Sequence, residues 1–165
     1  MTEIEATKAI RAAILASDAQ KALALISATE NRLEMMTPFG TWLHVAAKTG
    51  CLEIVRGLVS MGADVNRRGG TFGGTAINLA AAYGRLEVVE FLLANRAELD
   101  VTEPERNPLF SAIQGGHLPI VQLLVERGID TKVAYTGSSM KGMTALAFAR
   151  ERGQQEISEF LGRVR

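Results

Sequence analysis

A ten-residue pattern occurs four times along this chain, and a repeat of that length restricts the fold more than any single residue can. Thr41-Trp42-Leu43-His44-Val45-Ala46-Ala47-Lys48-Thr49-Gly50 is answered by Thr75-Ala76-Ile77-Asn78-Leu79-Ala80-Ala81-Ala82-Tyr83-Gly84 and then by Asn107-Pro108-Leu109-Phe110-Ser111-Ala112-Ile113-Gln114-Gly115-Gly116. Thr144-Ala145-Leu146-Ala147-Phe148-Ala149 follows, with Gly153 at the same offset. The copies begin 34, 32 and 37 residues apart. Behind the first three runs an apolar stripe at helical spacing: Leu52, Val55, Leu58 and Val59, then Leu86, Val89, Leu92 and Leu93, then Leu118, Val121, Leu124 and Val125. Glu53, Arg56, Glu87 and Glu90 fall on the opposite face. Each unit therefore reads as a turn, a short helix, a second helix and a return loop. No such unit can bury its apolar face alone, so the units must stack.

The local chemistry agrees. Thr41, Thr75, Asn107 and Thr144 stand where a helix N-cap must accept a bond from the first turn, and Pro108 falls at the first helical position, where its missing N–H costs nothing. Alanine pairs let the first helices approach closely. Gly50, Gly84, Gly116 and Gly153 are placed as left-handed stops.

In these features the chain resembles the ankyrin repeat family, whose unit is about 33 residues long. Thr41 with His44, and Gly62-Ala63-Asp64-Val65-Asn66 closing the first full repeat, carry the likeness, which extends over roughly residues 36 to 162. The resemblance implies an all-α solenoid of stacked helix-turn-helix units with β-turn fingers and diverged capping repeats. We expect one domain over 1–165. Its parts are an N-terminal capping helical pair at about 3–35, full repeats at 36–69, 70–101 and 102–138, and a C-terminal capping repeat at 139–165. Ile10, Ala13, Ile14, Leu23, Leu25 and Ile26 supply the first cap's core around a break at Ser17-Asp18. Gln155, Ser158 and Gly162 make the last helix polar where inner repeats are apolar, as a terminal unit requires.

With 47% hydrophobic and 22% charged residues a continuous core is feasible, and 5% aromatics suits close helix packing. Eighteen basic and eighteen acidic residues cancel, which removes the usual electrostatic basis for nucleic-acid binding. Cys51 is the one cysteine and, with only His44 and His117 beside it, leaves no zinc set and no internal disulfide. The start of the chain has no signal-peptide pattern, and no apolar run reaches the ~18 residues a membrane span needs. A soluble, cytoplasmic monomer without metal, cofactor, small-molecule substrate, nucleic-acid or membrane partner is the expectation.

Sites follow from the resemblance. It gives His44 and His117 structural roles, tying turns and loops by hydrogen bonds, and Cys51 reads as a small packing residue. Gly69-Gly70-Thr71-Phe72-Gly73-Gly74 lacks the Lys-Ser/Thr of a phosphate loop and falls at a turn, so it reads as a finger. No nucleophile elbow, dinucleotide fingerprint or zinc-protease helix is present. In the family the finger tips and the two positions before each helix-ending glycine meet partners. Here those are Lys48 and Thr49, Ala82 and Tyr83, Gln114 and Gly115, Glu151 and Arg152.

Trp42 replaces the family's proline and lies near Met35, Met36, Pro38 and Phe39, while Phe72 tips the next finger. Phe39, Trp42, Phe72 and Tyr83 are the expected aromatic anchors, against the alternative that Trp42 and Phe39 pack on the N-terminal cap. Arg106 completes the expected contact set. The inserted loop Ala134 to Gly142 either merely tolerates extra residues or touches the partner through Tyr135, Met140 and Lys141. The implied function is a protein-binding scaffold, in concrete form a bacterial-type immunity or inhibitor protein that neutralises a toxin or enzyme. An adaptor in signalling or transcription is the alternative, and an enzyme or nucleic-acid binder is poorly supported.

Overall fold

The computed structural model describes residues 2–28, 31–71, 73–136 and 140–164. Among these it places ten α-helices in five pairs: α1 (Glu3–Leu15) with α2 (Ala19–Ser27), α3 (Trp42–Thr49) with α4 (Leu52–Ser60), α5 (Ala76–Ala82) with α6 (Leu86–Ala94), α7 (Pro108–Gly115) with α8 (Leu118–Glu126), and α9 (Ala145–Glu151) with α10 (Gln155–Arg163). The odd-numbered helices pack on one another in chain order, and so do the even-numbered ones, giving two layers. Between the layers runs one core, from Ile10 and Ile14 through Ile54, Leu58, Leu92 and Leu124 to Ile157 and Leu161. Each fully buried branched side chain contributes about 1.5–3 kcal/mol of transfer free energy.

Sequence decides the close approach of the first helices. Ala46, Ala47, Ala80, Ala81, Ala112 and Ala149 are all buried. Gly115 goes further: a Cβ there would stand 2.5 Å from the Ala82 carbonyl oxygen, so only glycine admits the neighbouring helix. Every odd helix after α1 starts at its anticipated cap. Thr144 accepts from the Ala147 N–H and Asn107 from the Leu109 N–H, while Thr41 and Thr75 form reciprocal caps with His44 and Asn78. Pairs of residues across the turns, Thr37 with Gly40, Gly69 with Gly74 and Tyr135 with Met143, form isolated antiparallel bridges at three fingers. The remaining finger carries a 3-10 turn at Pro104–Arg106 instead.

A buried polar tie joins each finger to the next. The Thr41 N–H donates to His44 Nδ1 (3.1 Å), so Nε2 carries the proton and donates to the Gly74 carbonyl (3.1 Å). Burial lowers the His44 pKa below the ordinary imidazole value, outweighing the Gly74 bond and the nearby Glu34, which favour the charged form. One repeat on, Asn78 does the same work without a titrating group: its Nδ2 donates to the Arg106 carbonyl at 2.7 Å. In the third repeat Phe110 occupies the equivalent position, and the tie moves to the cap residue itself. Asn107 Nδ2 donates to Tyr135 Oη (2.9 Å), and the Tyr135 hydroxyl donates to the Val101 carbonyl (3.0 Å).

Two of the expected partner contacts are corrected here. Tyr135 is 7% exposed and its ring packs edge-on to Phe110, so it closes the stack instead of facing outward. Trp42 is 0% exposed and belongs to the core cluster of Ile10, Ile14 and Ile26. Standing first in α3 directly after its cap, the indole turns inward on the side where α1 packs, and it fills volume that a proline could not. Its Nε1 has no hydrogen-bond partner among the described residues.

Candidate functional site

The odd-numbered helices and the fingers line a concave groove of about 910 Å³. Seven of the eight variable positions before the helix-ending glycines line it: Lys48, Thr49, Ala82, Tyr83, Gln114, Gly115 and Arg152; Glu151 does not. The groove floor is small and apolar, from Val45, Leu79 and Ala82 to Phe110.

Three of its aromatic rings carry a cation. The Arg11 guanidinium lies 4.7 Å from the Phe39 ring centre, Lys48 Nζ 4.7 Å from that of Tyr83, and the Arg152 guanidinium 5.2 Å from that of Phe148. Such pairs contribute about 0.5–1 kcal/mol at exposed sites and hold the side chain in a narrow set of orientations. Phe39 and Tyr83 are 53% and 46% exposed, so both rings remain open to a partner.

Arg85 adds a fourth cation. It reaches back over Gly50, whose left-handed φ of +84° and missing Cβ leave room for the side chain, and its Nε donates to the Lys48 carbonyl at 3.0 Å. His117 repeats the manoeuvre one unit later, over Gly84 to the Ala82 carbonyl at 3.1 Å. These ties fix the backbone immediately beside Lys48 and Tyr83.

Other expected contacts are placed differently. Phe72 lies outside the described residues. Arg106 folds back onto its own finger, Nε 3.3 Å from Asp100 Oδ2 and Nη2 2.9 Å from Thr102 Oγ1, and it does not line the groove. Asp100 is correspondingly held below its usual pKa: burial pushes it up, but the Thr102 hydroxyl and N–H, Arg106 and Arg68 prevail. Met140 is half-buried at the groove's end, and Lys141 is exposed beyond it.

Arg11, Arg85 and Phe148 were not legible as site residues. Arg11 comes from a diverged cap whose register against the stack has no sequence signal. Arg85, however, occupies the same offset as His117 and could have been found by aligning the units.

Among the described residues, no group of three or more His, Cys, Asp or Glu is placed to hold a metal ion, and no helix is long and apolar enough to cross a membrane. A family model for ankyrin repeats in three copies matches residues 43–135 and 77–163, which together take in most of the chain. The chain belongs to the ankyrin repeat family.

It is similar, at 32% identity over 124 residues, to a palmitoyltransferase of Lachancea kluyveri, covering 74% of this chain and 17% of that protein. It is 37% identical over 86 residues to the ankyrin repeat and KH domain-containing protein mask-1 of Caenorhabditis elegans, covering 52% of this chain and 3% of the other. A putative ankyrin repeat protein of Rickettsia felis is 33% identical over 91 residues, 53% of this chain and 40% of that one. The chain thus spans less than half the length of each of these relatives.

Proposed function

We propose that this ankyrin stack is a protein-binding scaffold that docks its partner in the concave groove through Tyr83, Phe39 and the residues around them. The observation that carries the reading is the pair of half-exposed aromatic rings, each held under a cation, at the edge of a groove built on helices. Aromatic anchors in preformed surroundings supply most of the energy of typical interfaces, and a rigid scaffold loses little entropy on docking.

Within that class the concrete role we favour is a neutralising one, in which the chain occludes the working surface of a toxin or enzyme in the manner of an immunity protein. The preformed shape of the groove, built on packed helices, supports action by occlusion. The palmitoyltransferase name belongs to a protein of which this chain matches a small fraction.

The test is affinity capture with the purified chain, identification of the partner by mass spectrometry, and assay of the partner's own activity with and without the chain. Inhibition at stoichiometric ratio supports neutralisation, and full activity in the complex supports an adaptor. Tyr83→Ala should weaken the complex at least about tenfold, on the ~2 kcal/mol scale of an anchor residue. An unchanged affinity would place the interface elsewhere.

A further inference from the structure

We propose that the groove recognises an acidic segment of its partner, one that carries apolar side chains among its carboxylates. This rests on the reading of the groove as the docking surface and adds the chemistry of what docks there.

The neutral net charge conceals a polarised molecule. Arg11, Lys48, Arg85 and Arg152 line the groove and Glu105 is the only carboxylate among the described lining residues. None of the four cations forms a salt bridge among the described residues, whose ion pairs are confined to Arg68 and Arg106 with Asp100 and Glu103. The outer helices have the reverse balance. Six glutamates, two each on α6 and α10 and one each on α4 and α8, stand against Lys21 on α2, Arg56 and Arg163. A field of this shape steers an acidic partner to the concave side and repels it from the convex one.

The four cations come from four different units of the stack and are held in place before binding. Three rest on rings, and Arg85 is hydrogen-bonded to the Lys48 carbonyl. Unpaired and oriented, they can accept carboxylates with little reordering, while the floor of Val45, Leu79 and Ala82 takes apolar side chains between them. A nucleic-acid strand fits this surface less well. Single-strand binders stack bases on bare aromatic faces, and here one face of Phe39, Tyr83 and Phe148 is already covered by the chain's own cation.

The experiment selects peptides from a displayed random library on the intact chain and measures the best one by fluorescence anisotropy. Wild type is compared with Lys48→Glu/Arg152→Glu, Tyr83→Ala and the convex-face control Glu87→Lys, each checked for folding by circular dichroism. The expected outcome is peptides enriched in Asp and Glu, an affinity lost at least about tenfold in the charge-reversed double variant and steeply reduced by salt, and no loss in Glu87→Lys. Neutral or basic peptides that still need Tyr83 would overturn the acidic specificity and leave the groove as a docking site. Binding insensitive to both Tyr83→Ala and the double variant would overturn the groove itself, as would a library that yields no binder. Tighter binding of an oligothymidylate of about twenty nucleotides than of any peptide, at about 150 mM salt, would assign the cations to nucleic acid instead.

Discussion

Tyr135→Phe removes one oxygen atom from the base of the fourth finger and leaves the shape of the ring intact. The ring keeps its edge-on contact with Phe110, 5.1 Å between centres, so the change isolates the hydroxyl. That hydroxyl accepts from Asn107 Nδ2 and donates to the Val101 carbonyl. Burial raises its pKa, so it remains a protonated donor at neutral pH. Asn107 is 0% exposed, and without Tyr135 Oη its Nδ2 has no solvent to turn to. An unsatisfied buried donor costs about 1–3 kcal/mol, and loss of the bond to Val101 adds a smaller amount, giving about 2–3 kcal/mol in all. For a chain of this size that lowers Tm by roughly 4–12 °C. Urea unfolding followed by circular dichroism should show the midpoint falling with an unchanged slope, and Asn107→Ala combined with Tyr135→Phe should cost less than the two singles added. A loss below about 0.5 kcal/mol, or strict additivity, would refute the claim that this hydroxyl holds the repeat together.

Three further outcomes follow from the core. The unfolded chain takes up a proton on His44 near pH 6.5 while burial keeps the native imidazole neutral, so stability should fall as pH falls below about 6.5. His44→Asn, which copies the tie made by Asn78, should flatten that dependence; an unchanged pH profile would show that another group controls it. Trp42→Ala should cost about 3–5 kcal/mol in urea unfolding, as expected of a fully buried indole, and a loss of partner affinity with stability intact would restore it as an anchor. Gly115→Ala and Gly162→Ala should shift Tm in opposite directions. The first drives a Cβ to within 2.5 Å of the Ala82 carbonyl and costs about 1–3 kcal/mol, while the second meets nothing within 4 Å on α10 and gains up to about 1 kcal/mol, so shifts of the same sign would contradict the packing described.

The repeat period, the caps at Thr41, Thr75, Asn107 and Thr144 and the glycine stops made the architecture legible, because each is a local rule acting within a few residues. The groove's composition was legible only in part. Positions such as Lys48 and Tyr83 follow from the repeat register, but the groove's charge does not. It is assembled from Arg11, Lys48, Arg85 and Arg152, which are far apart in the chain and form no run, so a count of basic and acidic residues averaged it to zero. Trp42 misled for a related reason. Its apolar neighbours Met35, Met36 and Phe39 resemble an exposed finger in sequence, and only the position of α1 against α3 turns the indole inward. Tyr135 sat in an insertion where loop chemistry suggested exposure, while its partner Asn107 lies 28 residues away.

The concave groove as the docking surface is tested most directly by hydroxyl-radical footprinting of the chain alone and in complex with its captured partner. Phe39 and Tyr83, at 53% and 46% exposure, are reactive reporters on the groove, and Met61, at 37%, reports from the C-terminal end of α4 in the other layer. The account predicts strong protection of Phe39 and Tyr83 with Met61 oxidised as before. Protection of Met61 with Phe39 and Tyr83 unchanged would contradict it.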